Sequence, residues 1–268
     1  MPAQALLQNV GAMPVRVSCT QCSLKDICMP SSLSPADIRR LDQLIRHNRK
    51  VRRGEHLFRA PDALKSLYAI RSGFFKTYVL HEDGREQVTG FSMTGEILGM
   101  DAISLEAHTC HAVALEDSDV CEIPFSRLEQ AAHEIPALQR QLHRLMSREI
   151  VRDHGVMLLL GAMRAEERVI ALLLNLSQRY LARGYSAKEF TLRMTREEIG
   201  SYLGLKLETV SRVFSKLQEH GLLSVQNKSV HLNNFPALRR LLGQNGRPPI
   251  RAPKDNNVLY ASFEPTVL

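Results

Sequence analysis

Residues 195–217, TREEIGSYLGLKLETVSRVFSKL, decide how the chain is built and what it acts on. Thr195 stands three residues before Glu198, the spacing of a capping box, and Ile199, Tyr202 and Leu203 recur at helical spacing. A first helix is therefore expected at about 195–202. Gly204 falls where the chain must turn sharply, and a second periodic run, Leu207, Val210, Val213, Phe214 and Leu217, follows at once. This run is expected to bury one helix face. On the other face Glu208, Ser211 and Arg212 are spaced i, i+3 and i+4, so their side chains project together from the N-terminal half that enters a DNA major groove in a helix-turn-helix. Arg can grip guanine O6 and N7, Glu can accept from cytosine N4, and Ser is a small, adaptable partner. A helical hairpin with a solvated charged face fits the same pattern. The next segments weigh against it: residues 222–226 and 229–232, with Asn227-Lys228 between them, read as a two-stranded wing.

The chain has 268 residues, a formal net charge of +7 and a pI near 9.3. That length can bury a good core and is expected to divide into two domains with appendages. The basic balance favours a polyanion such as double-stranded DNA, supporting the helix-turn-helix reading without deciding it. A hydrophobic fraction of 44% is ordinary for a soluble globular protein, and no apolar run is long enough to span a bilayer. The opening MPAQALLQNVGAMPVRV lacks the basic start and unbroken apolar core of an export signal, so a cytoplasmic location away from membranes is expected. No phosphate loop and no nucleophile elbow occurs, and the chain is not expected to be an enzyme.

Five cysteines in such a chain are thiols or metal ligands more readily than a disulfide framework. Cys19, Cys22 and Cys28 form C-x2-C-x5-C in a polar N-terminal segment, and Cys121 lies far away in VCEIPFS, at the end of an expected strand. Three clustered thiols and one distant thiol can close a four-ligand site, folding the N-terminal arm over the domain behind it. Zinc, an iron-sulfur cluster and plain unliganded thiols all remain open on spacing alone. Cys110, the remaining thiol, reads as a small buried core residue. Ser23, beside a candidate ligand, is a candidate hydrogen-bonding neighbour.

Ser34 can cap a short helix that passes through a turn into a strand, and Arg49, Lys50, Arg52 and Arg53 read as a solvated basic face. Between residues 57 and 123, short β-rich segments alternate with turn signals at Gly73, Asp83-Gly84 and Gly95, after an earlier one at Gly54. This is the pattern of an antiparallel roll or barrel. The longest helical run follows Pro136. In it Leu142, Met146, Ile150, Met157 and Leu160 recur at the spacing of a coiled-coil seam, and Asp153 falls on the same stripe. Such a helix pairs with its copy in a homodimer, where a carboxylate facing its own mate weakens pairing; the competing reading is a core helix with Asp153 at its solvated rim. Another helix at about 164–182, closed by Gly184, leads into the DNA-binding part. Residues 244–257, QNGRPPIRAPKDNN, are expected to be disordered.

The run GLKLETVSR, the wing after it and the cysteines and roll before it resemble the catabolite activator and fumarate-nitrate reductase regulator (CRP/FNR) superfamily, over about residues 18–240. Catabolite activators carry Arg directly before the Glu and Gly directly before the last Arg, where this chain has Leu207 and Ser211. The E-x-x-S-R form resembles the FNR branch. That resemblance implies an α+β fold: an N-terminal jelly-roll sensor domain like those that bind cyclic nucleotides, a long dimerisation helix, and a C-terminal winged helix-turn-helix. Expected domains are an arm over 1–34, the roll over 35–135, the helix over 136–163, the DNA-binding domain over 164–243 and a tail over 244–268. The resemblance also implies an oxygen-labile [4Fe-4S] cluster on Cys19, Cys22, Cys28 and Cys121, with no such role for Cys110. It implies reading of a TTGAT inverted repeat by Glu208, Ser211 and Arg212, and a cluster-free protein kept largely monomeric by Asp153.

In nucleotide-binding relatives a Gly-Glu pair grips the ribose and a later Arg pair the phosphate. This chain has Gly95-Glu96, but Thr109, Cys110 and His111 where the Arg pair falls, so a cyclic nucleotide is not expected as effector. His108 and His111 read as surface or structural histidines rather than metal ligands. The loop Asp83-Gly84-Arg85-Glu86 resembles one that touches RNA polymerase, though Arg85 stands where an acidic residue is common. An input by zinc, another small ligand or a thiol switch, and an iron-sulfur redox protein, are the competing functions.

Overall fold

The computed structural model describes residues 18–45 and 48–243. The first residues of the arm, 1–17, and the tail at 244–268 lie outside the described residues.

After a 3-10 turn at Cys19–Gln21 comes α1 (Pro35–Leu44), capped by Ser34, whose hydroxyl accepts from the Asp37 amide. The roll is made of β1 (Asn48–Val51), β2 (His56–Phe58), β3 (Ser66–Ser72), β4 (Phe74–Leu80), β5 (Glu86–Met93), β6 (Ile97–Leu98), β7 (His111–Ala114) and β8 (Ser118–Pro124). They form two antiparallel sheets, β1-β8-β3-β6 and β2-β7-β4-β5, facing each other across Phe58, Ile70, Phe75, Ala112 and Val120. Period-two alternation decides where Cys121 points. Val120 enters the space between the sheets, so Cys121 and Ile123 face outward, toward α1 and the arm. Cys121 is not at the end of its strand, as its sequence context suggested. It sits in the middle of β8, between Asn48 of β1 and Ala69 of β3, because the strand runs on to Pro124.

Helix α2 (Phe125–Glu134) leads into α3 (Pro136–Ala162), whose first turn starts on Pro136, where a missing amide hydrogen costs nothing. Helix α3 turns Leu138, Leu145 and Leu159 into its own subunit. Ile150 and Met157 are left 55% and 67% exposed.

The C-terminal part consists of α4 (Ala165–Leu181), β9 (Glu189–Thr191), α5 (Arg196–Leu203), α6 (Leu207–Glu219), β10 (Leu223–Gln226), β11 (Ser229–Leu232) and α7 (Phe235–Gly243). The expected capping box is present: Thr195 Oγ1 accepts from the Glu198 amide and the Glu198 carboxylate accepts from the Thr195 amide. Between α5 and α6 the Leu205 amide donates to the Gly200 carbonyl, and a Cβ on Gly200 would lie 2.6 Å from the Leu205 oxygen. Only glycine admits so close a return of the chain. The wing has the expected β10–β11 hairpin, with Asn227 at φ 57°, and one strand the sequence reading missed. That strand is β9, which pairs with β11; three residues are too few for an alternation to register.

The roll and the DNA-binding part share one apolar core, in which Phe74, Val88 and Phe91 pack with Ile199, Tyr202 and Phe214. Polar bonds reinforce it. Lys76 bridges Glu86 and Glu198, and Ser201 Oγ accepts from the Val88 amide while donating to the Glu86 carbonyl.

Candidate functional site

Cys19, Cys22 and Cys28 come from the arm and Cys121 from β8, and all four line one cavity. The other walls are apolar apart from Lys25 and Arg71: Leu24, Met29, Leu41, Ile45, Ala69 and Ile123 among them. The cavity is open to solvent on one side. The Cys19 amide donates to the Asp42 carboxylate of α1 at 2.8 Å, which ties the start of the cysteine loop to the roll. On the other side Cys121 Sγ donates weakly to Asn48 Oδ1 at 3.6 Å. Burial, followed by the nearness of the other sulfurs, pushes the Cys19 thiol far up. Burial likewise raises Cys28 to about 12 and Cys121 to about 11. At neutral pH these thiols stay protonated until a cation is there to hold the thiolates. Among the described residues no three His, Cys, Asp or Glu side chains converge on a point as one metal ion requires; the four sulfurs surround a space.

A fully sulfur donor set around a desolvated cavity fits a thiolate-bound cluster. Ser23 is exposed beside it. Sequence reasoning missed Asp42 and Arg71, which only the folding of α1 and β3 brings to the sulfurs, and Lys25, which lies between Cys22 and Cys28 but carries no motif signal.

Cys110 is elsewhere. It packs on the core between the sheets, is raised by burial and by Asp101, and lines a separate cleft between the roll and α3. This cleft is bordered by Thr77, Thr89, Ser92, Gly99, Asp101 and Thr109 of the roll, and by Met146, Glu149, Ile150, Arg152 and Asp153 of α3. Its one lining cation, Arg152, is paired with Glu149 at 2.7 Å. The Gly95-Glu96 pair expected at a ribose lies away from the cleft. Glu96 does not border the cleft: it is 2% exposed, gripped by Arg179 and Arg183 of the DNA-binding half at 2.6 Å each, and the glycine lining the cleft is Gly99, followed by Met100. His108 and His111 each stack on an aromatic ring of the roll. His108 is buried, stacks on Phe58 at 3.7 Å and bonds Asp101; His111 stacks on Tyr78 at 4.8 Å.

The expected DNA-reading residues lie on α6. Val210, Val213, Phe214 and Leu217 are buried, and Glu208, Ser211 and Arg212 are exposed together. Leu207, expected on the buried face, is instead 44% exposed, because the first residue of a helix precedes the turn that packs. Arg196 of α5 lays its guanidinium 3.2 Å from the centre of the Phe214 ring, and Lys216 pairs with Glu166 of α4 at 2.6 Å. These contacts fix the presented helix on its scaffold. Arg212 Nη2 reaches only Thr209 Oγ1, at 3.5 Å, so its guanidinium is available to a ligand.

On α3, Leu142, Met146 and Leu160 are partly buried, whereas Ile150, Asp153 and Met157 face solvent. The expected polymerase-contacting loop is the β4–β5 turn, where Arg85 pairs with Asp83 at 2.7 Å.

Comparison with known proteins agrees with this geometry. A Crp-like helix-turn-helix domain matches residues 167–241 and a cyclic nucleotide-binding domain matches residues 48–134. The transcriptional activator protein anr of Pseudomonas aeruginosa is 46% identical over 88% of this chain and 96% of its own length. The fumarate and nitrate reduction regulatory protein of Escherichia coli is 42% identical over 91% of this chain and 97% of its own length. The structure of FixK2 from Bradyrhizobium japonicum is 32% identical and superposes with a TM-score of 0.68, over 73% of this chain and 96% of that one. No helix among the described residues is long and apolar enough to cross a membrane. With a β-roll, a long helix and a winged helix-turn-helix in that order, and relatives at this identity over nearly their whole length, the chain belongs to the CRP/FNR family of DNA-binding transcription regulators, on the side of the fumarate and nitrate reduction regulators.

Proposed function

We propose that this regulator is an oxygen-responsive switch of anaerobic gene expression, acting in the cytoplasm as a homodimer that holds one [4Fe-4S] cluster per subunit. The observation that carries the reading is the single cavity lined by Cys19, Cys22, Cys28 and Cys121 in a chain that also presents a DNA-reading helix. When bound, the cluster supplies chemistry that is labile to oxygen. The protein's own residues do the rest. The four thiols give up their protons and hold the metal; Leu24, Met29 and Ile123 limit water around it; Asp42 anchors the loop. Leu142, Met146, Ile150, Met157 and Leu160 form the pairing seam, with Asp153 opposing it. In the pair, two copies of Glu208, Ser211 and Arg212 face successive major grooves and read the halves of a TTGAT inverted repeat.

A cyclic nucleotide is not the effector in this reading. The cleft under α3 offers carboxylates at Asp101, Glu149 and Asp153, and its one cation is engaged, which is a poor seat for a phosphate. RNA polymerase is the proposed partner on DNA, with the β4–β5 loop as the weaker part of that proposal since Arg85 is tied to Asp83.

The test is the absorption spectrum of anaerobically purified protein, with iron and acid-labile sulfide measured on the same sample. Ala at Cys19, Cys22, Cys28 or Cys121 is expected to abolish the iron-sulfur chromophore, and Cys110→Ala to keep it. Zinc without sulfide, or a chromophore that needs Cys110 and not Cys121, would overturn the assignment.

A further inference from the structure

The seam on α3 links the two subunits, but a second set of contacts runs from the cysteine loop to the DNA-binding half of the same subunit. Ile27 directly precedes Cys28, and its side chain packs on Gly95: a Cβ built there would lie 2.8 Å from Ile27 Cδ1 and 3.0 Å from Cγ1. Gly95 has φ +88° and belongs to the tight turn between β5 and β6. The turn is also fastened to the cavity wall. Ile70, one of the residues lining the thiol cavity, accepts from the Gly95 amide at 2.7 Å and donates to the Glu96 carbonyl at 2.8 Å.

From the other side the turn is held by α4 and the residues just after it. Arg179 donates to both Glu96 oxygens, at 3.1 and 2.6 Å, and to the Phe91 carbonyl at 2.8 Å. Arg183 donates to Glu96 Oε1 at 2.6 Å and to the Thr94 carbonyl. The Glu96 side chain is 2% exposed, that of Arg179 7% and that of Arg183 3%. A carboxylate buried between two guanidiniums has no solvent to fall back on, so the three groups move together.

We infer that Ile27, Glu96, Arg179 and Arg183 are positioning residues that pass the state of the cysteine loop to the DNA-binding domain of the same subunit, independently of dimerisation. This rests on the cluster reading above. A loop ordered by bound metal keeps Ile27 seated on Gly95, so the turn holds Glu96 where α4 meets it. A loop released from the metal unseats Ile27 and frees the turn, and α4, which carries α5 and α6 through the shared core, loses its reference to the roll. Pairing along α3 brings two recognition helices together; this contact sets the angle of each.

The experiment compares anaerobic wild type, Ile27→Ala, Arg183→Gln and the double variant, each measured for cluster absorbance, sedimentation and operator binding at concentrations where all are dimeric. Arg183→Gln leaves Glu96 its pair with Arg179 and is the milder cut. Both single variants are expected to keep wild-type sedimentation, to keep a chromophore, and to bind operator at least about tenfold more weakly, in the range of ordinary coupling between sites. The double variant is expected to be no weaker than Arg183→Gln alone, since both cut the same link. A residue that merely stabilises the fold would lower the melting temperature without this non-additivity. Unchanged affinity at equal dimer fraction and full chromophore, or losses that multiply in the double variant, would overturn the inference alone. A wild type without iron and sulfide would sink the cluster reading, and this one with it.

Discussion

At the scale of the residue, the proposed reading of DNA depends on a guanidinium that the fold engages only weakly. Arg212 is exposed, and among the described residues its guanidinium makes a weak bond to Thr209, which leaves it available for the base contact proposed above. Arg212→Ala is expected to cost about 1 to 3 kcal/mol per half-site and to flatten discrimination at the guanine of TTGAT. A competition of single-base operator variants at fixed salt measures this; equal weakening on every variant would make Arg212 a phosphate contact. Exchanging Leu207→Arg with Ser211→Gly restores the residues of the catabolite activators and is expected to shift preference toward their TGTGA half-site. Leu207 is exposed at the first turn of α6, so the exchange costs the core little. The thiols show the opposite design. Burial keeps Cys28 and Cys121 well above the ordinary thiol range, and only a cation held among them makes the thiolates affordable.

At the scale of the element, α3 shows how far periodicity reaches. Its stripe of Ile150, Asp153 and Met157 is exposed in the single chain, while Leu138, Leu145 and Leu159 are buried against the subunit's own core. An exposed apolar stripe interrupted by a carboxylate is poised between monomer and pair. Asp153→Ala is expected to strengthen pairing of the cluster-free protein by about 1 to 3 kcal/mol, roughly five- to 150-fold, so that it dimerises and binds DNA in air. Sedimentation of air-exposed variant decides; a persistent monomer with unchanged aerobic DNA affinity would refute the switch. Elements of this kind were legible in the sequence because local chemistry writes them: the Thr195 and Glu198 box starts α5, Gly204 ends it, and the spacing of Val210, Val213 and Leu217 sets the buried face of α6. What was not legible depends on distant partners. Gly95-Glu96 looks in sequence like a ligand grip, and only the fold shows that Glu96 is spent on Arg179 and Arg183. Nor could spacing foretell that Cys121 would sit mid-strand opposite Ala69, or that Asp42 would meet the Cys19 amide.

At the scale of the molecule, the question is how firmly the DNA-binding half is docked on the roll, and charge makes that docking depend on pH. Lys76 of β4 lies 3.0 Å from Glu198 of α5, and the two side chains are 13% and 17% exposed, so water screens the pair only in part. Burial alone would raise the Glu198 carboxyl. The Thr195 amide and Lys76 outweigh it and hold the group below its ordinary 4.5. A carboxyl depressed in the folded state contributes stability that is fully present above its unfolded value and is lost as pH falls through its folded value. Glu198→Gln separates this charge from the cap, because Gln at the same position still serves a capping box. The variant is expected to lose roughly 1 kcal/mol at pH 7, or about 2 to 4 °C in the melting of the roll and DNA-binding half, which share one core. As pH is lowered below 4.5 the wild type protonates Glu198, and the two melting curves are expected to converge. Scanning calorimetry from pH 7 down to about 3, across the range in which a carboxyl titrates, tests this. A gap that persists undiminished in acid would assign the effect to an altered cap, and the Lys76 bridge would then be a contact without weight in docking.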